Sequence, residues 1–193
     1  KLFGIENKVA IVTGGSRGIG EMITSGFLAN GVKVYISARK APALIEKAKE
    51  LSDRYQQECI PVPCDLSTLD GIEEFVGSIS EKEEGIDFLI NNAGAAWGEP
   101  FETFSEQGWD KVMNLNVKSM FFLTQKLKSH LLKRCTLDDP SRVINIGSID
   151  GLNVPALETF SYSASKASVH HLTRVMAAKL VKENILVNAI APG

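Results

Sequence analysis

Short apolar runs alternate along this sequence with longer amphipathic segments, and this alternation constrains the fold more than any other feature. The apolar runs are VAIVTGG (9–15), VKVYIS (32–37), CIPVPC (59–64), IDFLINNAG (86–94), RVINIGS (142–148) and ILVNAIAPG (185–193). The segments with helical spacing of apolar residues cover 18–30, 41–57, 67–83, 105–133 and 160–182. Strands that alternate with helices are typical of a parallel sheet covered on both faces. We therefore predict an α/β fold of three layers, a Rossmann-like doubly wound parallel sheet.

Two prolines locate the third run within that sheet. Pro61 and Pro63 have no backbone N–H to donate to a neighbouring strand, so this run belongs at a sheet edge. In a doubly wound sheet of strand order 3-2-1-4-5-6 the third strand is at the edge, and we predict this order. At the other edge, ILVNAI is too apolar for an exposed strand, so we expect further chain or a partner to cover it.

Composition narrows the class of protein. The 193 residues are 44% hydrophobic with a formal net charge of -2, which suits one globular domain with a large core. The near-neutral charge gives no reason to expect nucleic acid as a partner, and no apolar run approaches the ~20 residues that span a bilayer. The cysteines are scattered and the histidines lack acids or cysteines at ligand spacing, so we expect reduced thiols, a cytoplasmic location and no metal site.

The segment TGGSRGIG (13–20) joins the first strand to the first helix and has the pattern of a nucleotide-binding turn. Gly14 suits a tight turn, Gly18 lets a pyrophosphate approach the backbone, and Gly20 lets the helix pack closely on the strand. The helix N-terminus would offer free N–H groups to the phosphates. A plain strand-to-helix turn is the alternative, but the strand–turn–helix context favours nucleotide binding.

The residues that follow the second run indicate which dinucleotide is bound. An NAD site usually has a carboxylate here for the ribose 2′-hydroxyl, whereas this chain has ISARK, with Arg39 and no acid. Arg17, inside the glycine-rich turn, would approach the same position from the other side. A guanidinium group suits a 2′-phosphate because it offers forked donors. Both arginines could instead be ordinary surface charges, but two of them at one pocket predict NADP (NADPH) as the cofactor.

YSASK (162–166) places a tyrosine and a lysine one helical turn apart. Side chains at i and i+4 share a helix face, so Tyr162 and Lys166 are expected side by side. A cation about 4 Å from a phenolate stabilises it by ~4 kcal/mol at an effective dielectric of about 20, equivalent to about 3 pKa units. A phenol shifted from about 10 to about 7 could exchange protons at neutral pH. Taken alone, the same spacing is also typical of a solvent-exposed helix face.

Further polar residues fall where strands are expected to end. Ser148 closes the fifth run, Asn92 lies at the end of the fourth, and Pro192 and Gly193 close the sixth, while Asn116 lies in NLNVKS within the fourth helical segment. Ligand sites in doubly wound sheets lie at the carboxyl ends of the strands. We therefore expect the glycine-rich turn, these residues and YSASK to form one site.

With these motifs in this order, the chain resembles the short-chain dehydrogenase/reductase family. The matching motifs are TGGSRGIG, CDLS, NNAG, NLNV, INIGS, YSASK and APG, and they extend over essentially the whole chain. Within the family the chain looks most like the NADP-preferring branch, and there like 3-oxoacyl-carrier-protein reductases of the rhamnolipid type. The resemblance implies a dehydrogenase/reductase that transfers a hydride between nicotinamide and a carbonyl or alcohol substrate, with a 3-oxoacyl thioester as one candidate.

The resemblance also implies a catalytic tetrad. Tyr162 would be the general acid/base, and Ser148 would hold the substrate oxygen. Lys166 would make the phenol more acidic and bond the nicotinamide ribose, and Asn116 would hold a water in a proton relay to Lys166.

The same resemblance implies that Asp65 and Leu66 contact the adenine and that 92–94 line the cofactor. With the residues of the glycine-rich turn, the two arginines and the chain end, the expected cofactor residues are Gly14, Ser16, Arg17, Gly18, Ile19, Gly20, Arg39, Asp65, Leu66, Asn92, Ala93, Gly94, Tyr162, Lys166, Pro192 and Gly193. The fourth helical segment carries more apolar residues than one core face needs. The resemblance implies that the fourth and fifth helical segments pair in a homodimer or homotetramer.

The chain begins with Lys1 and ends on NAIAPG. Full-length members of the family continue beyond this point with a substrate-covering segment, a helix and a seventh strand. We therefore expect 1–193 to be a single NADP-binding Rossmann domain that is a fragment, with the seventh strand and the C-terminal substrate region missing. A non-catalytic NADP-binding sensor or scaffold is the main alternative. A sugar-nucleotide epimerase also uses Tyr-x-x-x-Lys, but the short chain and the glycine spacing argue against it.

Overall fold

Six parallel strands form one sheet in the order β3-β2-β1-β4-β5-β6, which confirms the predicted topology. The structure, a computed structural model, describes residues 4–193. The strands are β1 (Val9–Thr13), β2 (Lys33–Ala38), β3 (Cys59–Pro63), β4 (Phe88–Asn91), β5 (Ser141–Ile146) and β6 (Ile185–Ile190). The helices are α1 (Gly18–Ala29), α2 (Ala41–Tyr55), α3 (Leu69–Ser80), α4 (Glu106–Met113), α5 (Ser119–Arg134) and α6 (Phe160–Leu180).

Helices cover both faces of the sheet because successive residues of a strand point to opposite sides. All of β1 is buried. Its Val12 belongs to the core that includes Leu28 of α1, whereas the adjacent Ile11 belongs to the core that includes Phe75 of α3. Each fully buried side chain of this size contributes ~1.5–3 kcal/mol of hydrophobic free energy. The two cores give the three predicted layers.

The prolines of β3 lie on the outer side of the sheet edge. The backbone N–H of Cys64 donates to the Ala38 carbonyl of β2 at 3.2 Å. Because backbone groups alternate along a strand, the nitrogens of Pro61 and Pro63 face away from β2, where no donor is required. This geometry explains how a strand with two prolines can pair along β2.

The opposite edge is less protected. The last residues of β6, 188–190, are exposed, and Ile190 keeps 51% of its surface accessible. Within residues 4–193, none of the helices combines the length and the apolar character that a membrane-spanning helix requires.

The largest difference from the sequence-based boundaries concerns the segment 105–133, which was predicted as one helix. Helices α4 and α5 are joined by a π-helical segment, Asn114–Lys118. A π-turn inserts one extra residue into the helical repeat, a feature that often occurs at functional sites. Smaller differences occur at helix ends. For example, α2 ends at Tyr55 because Gln56 adopts a left-handed conformation with φ 51°.

Candidate active site

The glycine-rich turn between β1 and α1 lies at the edge of the sheet where the strands have their carboxyl ends. Gly14 and Gly18 have φ values of +64° and +55°, conformations that side chains other than glycine rarely adopt. Helix α1 starts at Gly18, and Arg17 before it makes no side-chain capping bond. A Cβ at Gly18 would meet nothing within 4 Å. The turn therefore presents a bare backbone and the positive end of a helix to the space in front of it.

The chain that leaves β4 holds this turn in place. The Asn92 side-chain amide donates to the carbonyls of Thr13, at 2.8 Å, and of Gly14, at 3.3 Å. The Thr13 hydroxyl accepts hydrogen bonds from the backbone N–H groups of Asn92 and Ala93, both at 2.9 Å. Thr13 is not among the site residues predicted from the sequence. Its buried position in an otherwise apolar strand is the signal that could have identified it.

A cavity of about 280 Å³ lies in front of the turn. It is lined by predicted cofactor residues from several loops: Gly14, Ser16, Arg17, Ile19, Gly20, Arg39, Asp65, Leu66, Asn92, Ala93 and Gly94. Burial opposes ionisation of Asp65, but hydrogen bonds from the hydroxyl and backbone N–H of Ser67, at 2.7 and 3.0 Å, keep the pKa of this carboxyl below its usual value. Asp65 is therefore an ionised acceptor in the wall of this cavity.

A second cavity of about 530 Å³ adjoins the first and is bordered by basic side chains. Arg17 and Arg39 line both cavities, and Lys40, which the sequence analysis did not propose, lines the second. Within residues 4–193, none of these three side chains makes an ion pair. A dinucleotide with a 2′-phosphate fits these residues, because uncapped helix N–H groups and free cations both favour phosphates.

A third cavity, of about 490 Å³, contains Ser148, Tyr162 and Lys166. It shares Ile19, Asn92 and Gly94 with the cavity at the glycine-rich turn, so the two are neighbours along one groove. Pro192 and Gly193 line the same cavity from the end of β6, and the Pro192 carbonyl accepts from the backbone N–H of Ile149 at 3.0 Å.

Lys166 is the most strongly perturbed group of this cavity. Its Nζ lies 5.5 Å from the centre of the Tyr162 ring, one helical turn away on α6. The residue is 5% exposed, and burial lowers the pKa of its ammonium group to about 8. Its Nζ donates a hydrogen bond to the Ile146 carbonyl at 2.7 Å. The helix thus places a partly desolvated cation against the face of the tyrosine, where its field is stronger than in water.

Ser148 follows β5 in extended conformation and is 7% exposed. Its hydroxyl accepts from the backbone N–H of Asp150 at 3.2 Å, and its carbonyl lies 3.0 Å from Nε2 of His170. The hydroxyl proton remains available to a ligand in the cavity, because the bond with Asp150 uses only a lone pair.

Asn116 lies in the π-helical segment and does not line this cavity. Its side chain accepts from the backbone N–H of Ala95 at 2.8 Å and donates to the Ala95 carbonyl and the Ser165 hydroxyl, both at 2.9 Å. A Cβ at Gly94 would lie 3.3 Å from Asn116 Oδ1 and 3.8 Å from Lys166 Nζ. The structure therefore brings Asn116 near Lys166, with Gly94 in contact with both.

Comparison with known proteins agrees with this geometry. Residues 8–193 match the model of the family described as short chain dehydrogenase. The chain is 42% identical over 191 residues to the rhamnolipids biosynthesis 3-oxoacyl-[acyl-carrier-protein] reductase of Pseudomonas aeruginosa, covering 99% of this chain and 74% of that protein. It is 37% identical over 196 residues to the 2-dehydro-3-deoxy-D-gluconate 5-dehydrogenase of Escherichia coli, covering 99% of this chain and 73% of that one.

Two solved structures extend the comparison to three dimensions. The P. aeruginosa RhlG/NADP active-site complex matches with a TM-score of 0.96 and 43% identity, covering 100% of this chain and 74% of that one. L-sorbose reductase from Gluconobacter frateurii, complexed with NADPH and L-sorbose, matches with a TM-score of 0.93 and 30% identity, covering 100% and 72%. In the part of the chain that the structure describes, no three His, Cys, Asp or Glu side chains are grouped to hold a metal ion. The chain belongs to the short-chain dehydrogenase family, whose named relatives are dehydrogenases and reductases.

Proposed function

We propose that the protein is an NADP-dependent oxidoreductase that interconverts a carbonyl and an alcohol. The observation that carries this proposal is the groove in which Tyr162, Lys166 and Ser148 adjoin the glycine-rich turn. When bound, the nicotinamide supplies or accepts the hydride. The residues of this chain would bind the cofactor, orient the substrate and move the proton.

In this proposal Tyr162 donates a proton to the substrate oxygen during reduction and accepts it during oxidation. The hydroxyl of Ser148 holds the same oxygen. Lys166 favours the phenolate through its charge and would bond the ribose, while Asn116 would connect Lys166 to a water relay. The proximity of Lys166 to the Tyr162 ring and to the Asn116 side chain supports these roles.

The preference for NADP over NAD rests on the basic border of the cofactor groove. Arg17, Arg39 and Lys40 line the cavity beyond β2 at the end where the strand meets the glycine-rich turn, and Glu46, Lys47 and Glu50 of α2 line it too. The residues directly after β2 include no acid for the 2′-hydroxyl of NAD. The two structural neighbours are complexes with NADP and with NADPH, which supports the same cofactor for this chain.

A 3-oxoacyl thioester is the substrate class that we propose. A groove of about 780 Å³ runs from the start of α4 to the first turn of α6, where Ser163, the residue after Tyr162 in the sequence, lines it. The groove shares no lining residue with the cavity of Ser148, Tyr162 and Lys166. Its walls include the aromatic rings of Phe101, Phe104 and Phe160, which meet edge to face. Such walls suit an acyl chain, and the most similar curated relative described above is named a 3-oxoacyl-[acyl-carrier-protein] reductase.

The oligomeric state, the cellular location and the domain organisation remain proposals. A homodimer or homotetramer through α4–α5 and α6 is supported by exposed apolar side chains on these helices, among them Trp109, Phe121 and Val175. The cytoplasmic location and the single NADP-binding domain over 1–193 remain sequence-based predictions.

The substitution Tyr162→Phe tests the proposed chemistry. We expect turnover to fall by about 10²–10⁴-fold, the usual contribution of a general acid–base, with NADPH affinity nearly unchanged. Absorbance at the NADPH band measures turnover with 3-oxoacyl thioesters of short and long acyl chains, and fluorescence titration measures affinity. Tyr55→Phe, at the distant end of α2, is the matched control. Undiminished turnover in the Tyr162→Phe variant would refute the mechanism. If the wild-type protein bound NADPH but turned over no substrate, the non-catalytic sensor would be favoured instead.

A further inference from the structure

Helix α6 presents a third functional side chain in line with Tyr162 and Lys166. His170 follows Lys166 by four residues, just as Lys166 follows Tyr162, so the three occupy successive turns of one helix face. The function proposed above uses the first two and gives no role to His170.

Two of these side chains bind the backbone that carries Ser148. Nζ of Lys166 donates to the Ile146 carbonyl at 2.7 Å, and Nε2 of His170 lies 3.0 Å from the Ser148 carbonyl. A carbonyl oxygen can only accept, so Nε2 must carry the proton. Both contacts are therefore donations from the helix to the chain that leaves β5.

The spacing of helix and strand makes this double attachment possible. Four residues advance a helix by about 6 Å, and two residues advance an extended chain by about 6.6 Å. Carbonyls two residues apart in an extended chain point to the same side. Ile146 ends β5 and Ser148 is extended, with φ -165° and ψ 155°. The two donors of α6 therefore match two successive carbonyls of this chain.

Gly147, between the two carbonyls, provides the space for the imidazole. A Cβ at Gly147 would lie 2.3 Å from Cε1 of His170 and 2.7 Å from its Nε2. The backbone N–H of Gly147 donates to the Ile190 carbonyl of β6 at 2.7 Å, so the glycine cannot move away from the ring without breaking a sheet hydrogen bond. The close fit of ring and backbone fixes His170 against the segment it bonds.

We propose that His170 is a positioning residue that holds Ser148 at its working distance from Tyr162. This inference rests on the proposed function, because it matters only if Ser148 binds the reacting oxygen. Beyond Ser148 the chain enters a short 3-10 turn, in which the backbone N–H of Gly151 donates to the same Ser148 carbonyl at 3.1 Å, and then the mostly exposed segment 152–158. The bond from Gly151 is local to the turn, whereas the bond from His170 joins the Ser148 carbonyl to α6, the helix that carries Tyr162. The His170 bond therefore limits how far the serine hydroxyl can move from the tyrosine.

Three substitutions at one position test the proposal. Glutamine places an amide N–H near the position of Nε2, asparagine places it one carbon short, and leucine removes it. We expect His170→Asn and His170→Leu to lower kcat by about 10–100-fold, the scale of a misplacement of about 1 Å, with KM and NADPH affinity within about twofold. His170→Gln should retain kcat within about threefold. His171→Leu, whose histidine faces outward beside Arg174, should behave as the wild type.

A second measurement does not depend on turnover. Long-range ¹H–¹⁵N spectra of histidine-labelled protein should show His170 protonated at Nε2 and protected from exchange. Gly147→Ala should abolish that signal and lower kcat, and it should add little further loss in the His170→Leu background, because both changes break the same contact.

The outcomes separate the two proposals. If the wild-type protein turns over no substrate, the proposed function fails, and the positioning role of His170 fails with it. If the wild type is active and His170→Leu or His170→Asn equals it in kcat, only the positioning role is overturned. Equal losses in the Gln and Asn variants, or a Nε2 without a proton, would also overturn it. Should the leucine variant not fold, the Gln–Asn comparison decides the question alone.

Discussion

At the residue scale, the position of Lys166 determines the electrostatics of the proposed site. Burial lowers the pKa of its ammonium group to about 8, so the group remains mostly charged at neutral pH but is held there at a cost. A less buried lysine would be charged more readily, yet water would weaken its effect on the tyrosine. Burial of Lys166 thus lowers the folding stability but strengthens the electrostatic effect of its charge on Tyr162.

The lowered pKa of Lys166 predicts that the free energy of unfolding depends on pH. Between pH 8 and the ordinary value of 10.5, the unfolded lysine binds a proton that the folded one has lost. The free energy of unfolding of the cofactor-free protein should therefore rise with pH across this window, by on the order of 3 kcal/mol. Below pH 8 the penalty is fully present and constant. Urea unfolding at several pH values measures the effect, and Lys166→Met should remove this rise. An identical rise in that variant would show that another group causes it.

Arg39 predicts how the protein distinguishes its cofactors. Arg39→Glu should raise the Kd of NADPH by about 10–100-fold, because it removes charged hydrogen bonds worth about 1.5–3 kcal/mol. The Kd of NADH should change much less, since NADH lacks the 2′-phosphate. Lys49→Glu makes the same charge change on the exposed side of α2 and serves as the control. Fluorescence titration with both cofactors gives the comparison, and equal losses for both would remove the case for a phosphate contact at Arg39.

The sequence indicates some of these residues better than others. Tyr162 and Lys166 lie on one helix, so their spacing alone predicts their proximity. The contact of His170 with the Ser148 carbonyl joins residues 22 positions apart, and it depends on the register between α6 and β5, which no local pattern encodes. The position of Lys40 at the cavity was equally unpredictable from the sequence, because a lysine after an arginine is normally a surface charge.

At the scale of elements, helix α1 packs closely on the glycine-rich turn that precedes it. At Gly20 the approach is too close for any side chain. A Cβ at Gly20 would lie 2.2 Å from the Gly14 carbonyl oxygen and 2.5 Å from Nδ2 of Asn92. Gly20→Ala should therefore displace the start of α1, weaken NADPH binding at least tenfold and destabilise the fold by more than about 1 kcal/mol.

Gly26, on the same helix, provides the matched control. A Cβ there would meet nothing within 4 Å, so Gly26→Ala should stabilise the protein by about 0.5–1 kcal/mol through helix propensity. Thermal unfolding and NADPH titration of both variants check the pair. If Gly20→Ala binds NADPH as tightly as Gly26→Ala, the close approach at Gly20 is not needed for the cofactor turn.

The π-helical segment shows why one element could not be predicted fully. The apolar pattern of 105–133 correctly indicates helix, but nothing in NLNVK marks the extra residue in its turn. The cause is tertiary: Asn116 makes two hydrogen bonds with the backbone of Ala95 and one with Ser165 of α6. These bonds form only when the chain after β4 and helix α6 are in place.

At the scale of the whole molecule, the sheet order was predictable and the outer surface was not. The alternating runs and the prolines of β3 fixed the strand order, because few arrangements of such a chain satisfy both. Apolar residues on the outside of α5 form a surface that no other part of the described chain buries. Their pattern does not indicate which protein segment or partner would bury it.

The proposed assembly can be tested on that surface. Phe121, 37% exposed on α5, packs edge to face on Phe122. Phe121→Glu should shift the protein from an oligomer to a monomer, because an interface core excludes an unpaired charge. Light scattering after size-exclusion chromatography measures the mass. Ile45→Glu, at a 53% exposed position of α2, should leave the mass unchanged. A wild-type protein that is already monomeric would refute the proposed assembly.

The attachment of Ser148 to α6 has a consequence for how such a protein diversifies. Helix α6 supplies two of the donors that we propose align the serine with the tyrosine, and Gly151 of the short turn supplies a third. The neighbouring segment 152–158, which borders the apolar groove, supplies none of them. We therefore expect insertions or exchanges in that segment to change substrate selectivity while the alignment of the proposed reacting groups is retained. Laboratory evolution confined to these seven positions should therefore alter selectivity without loss of turnover.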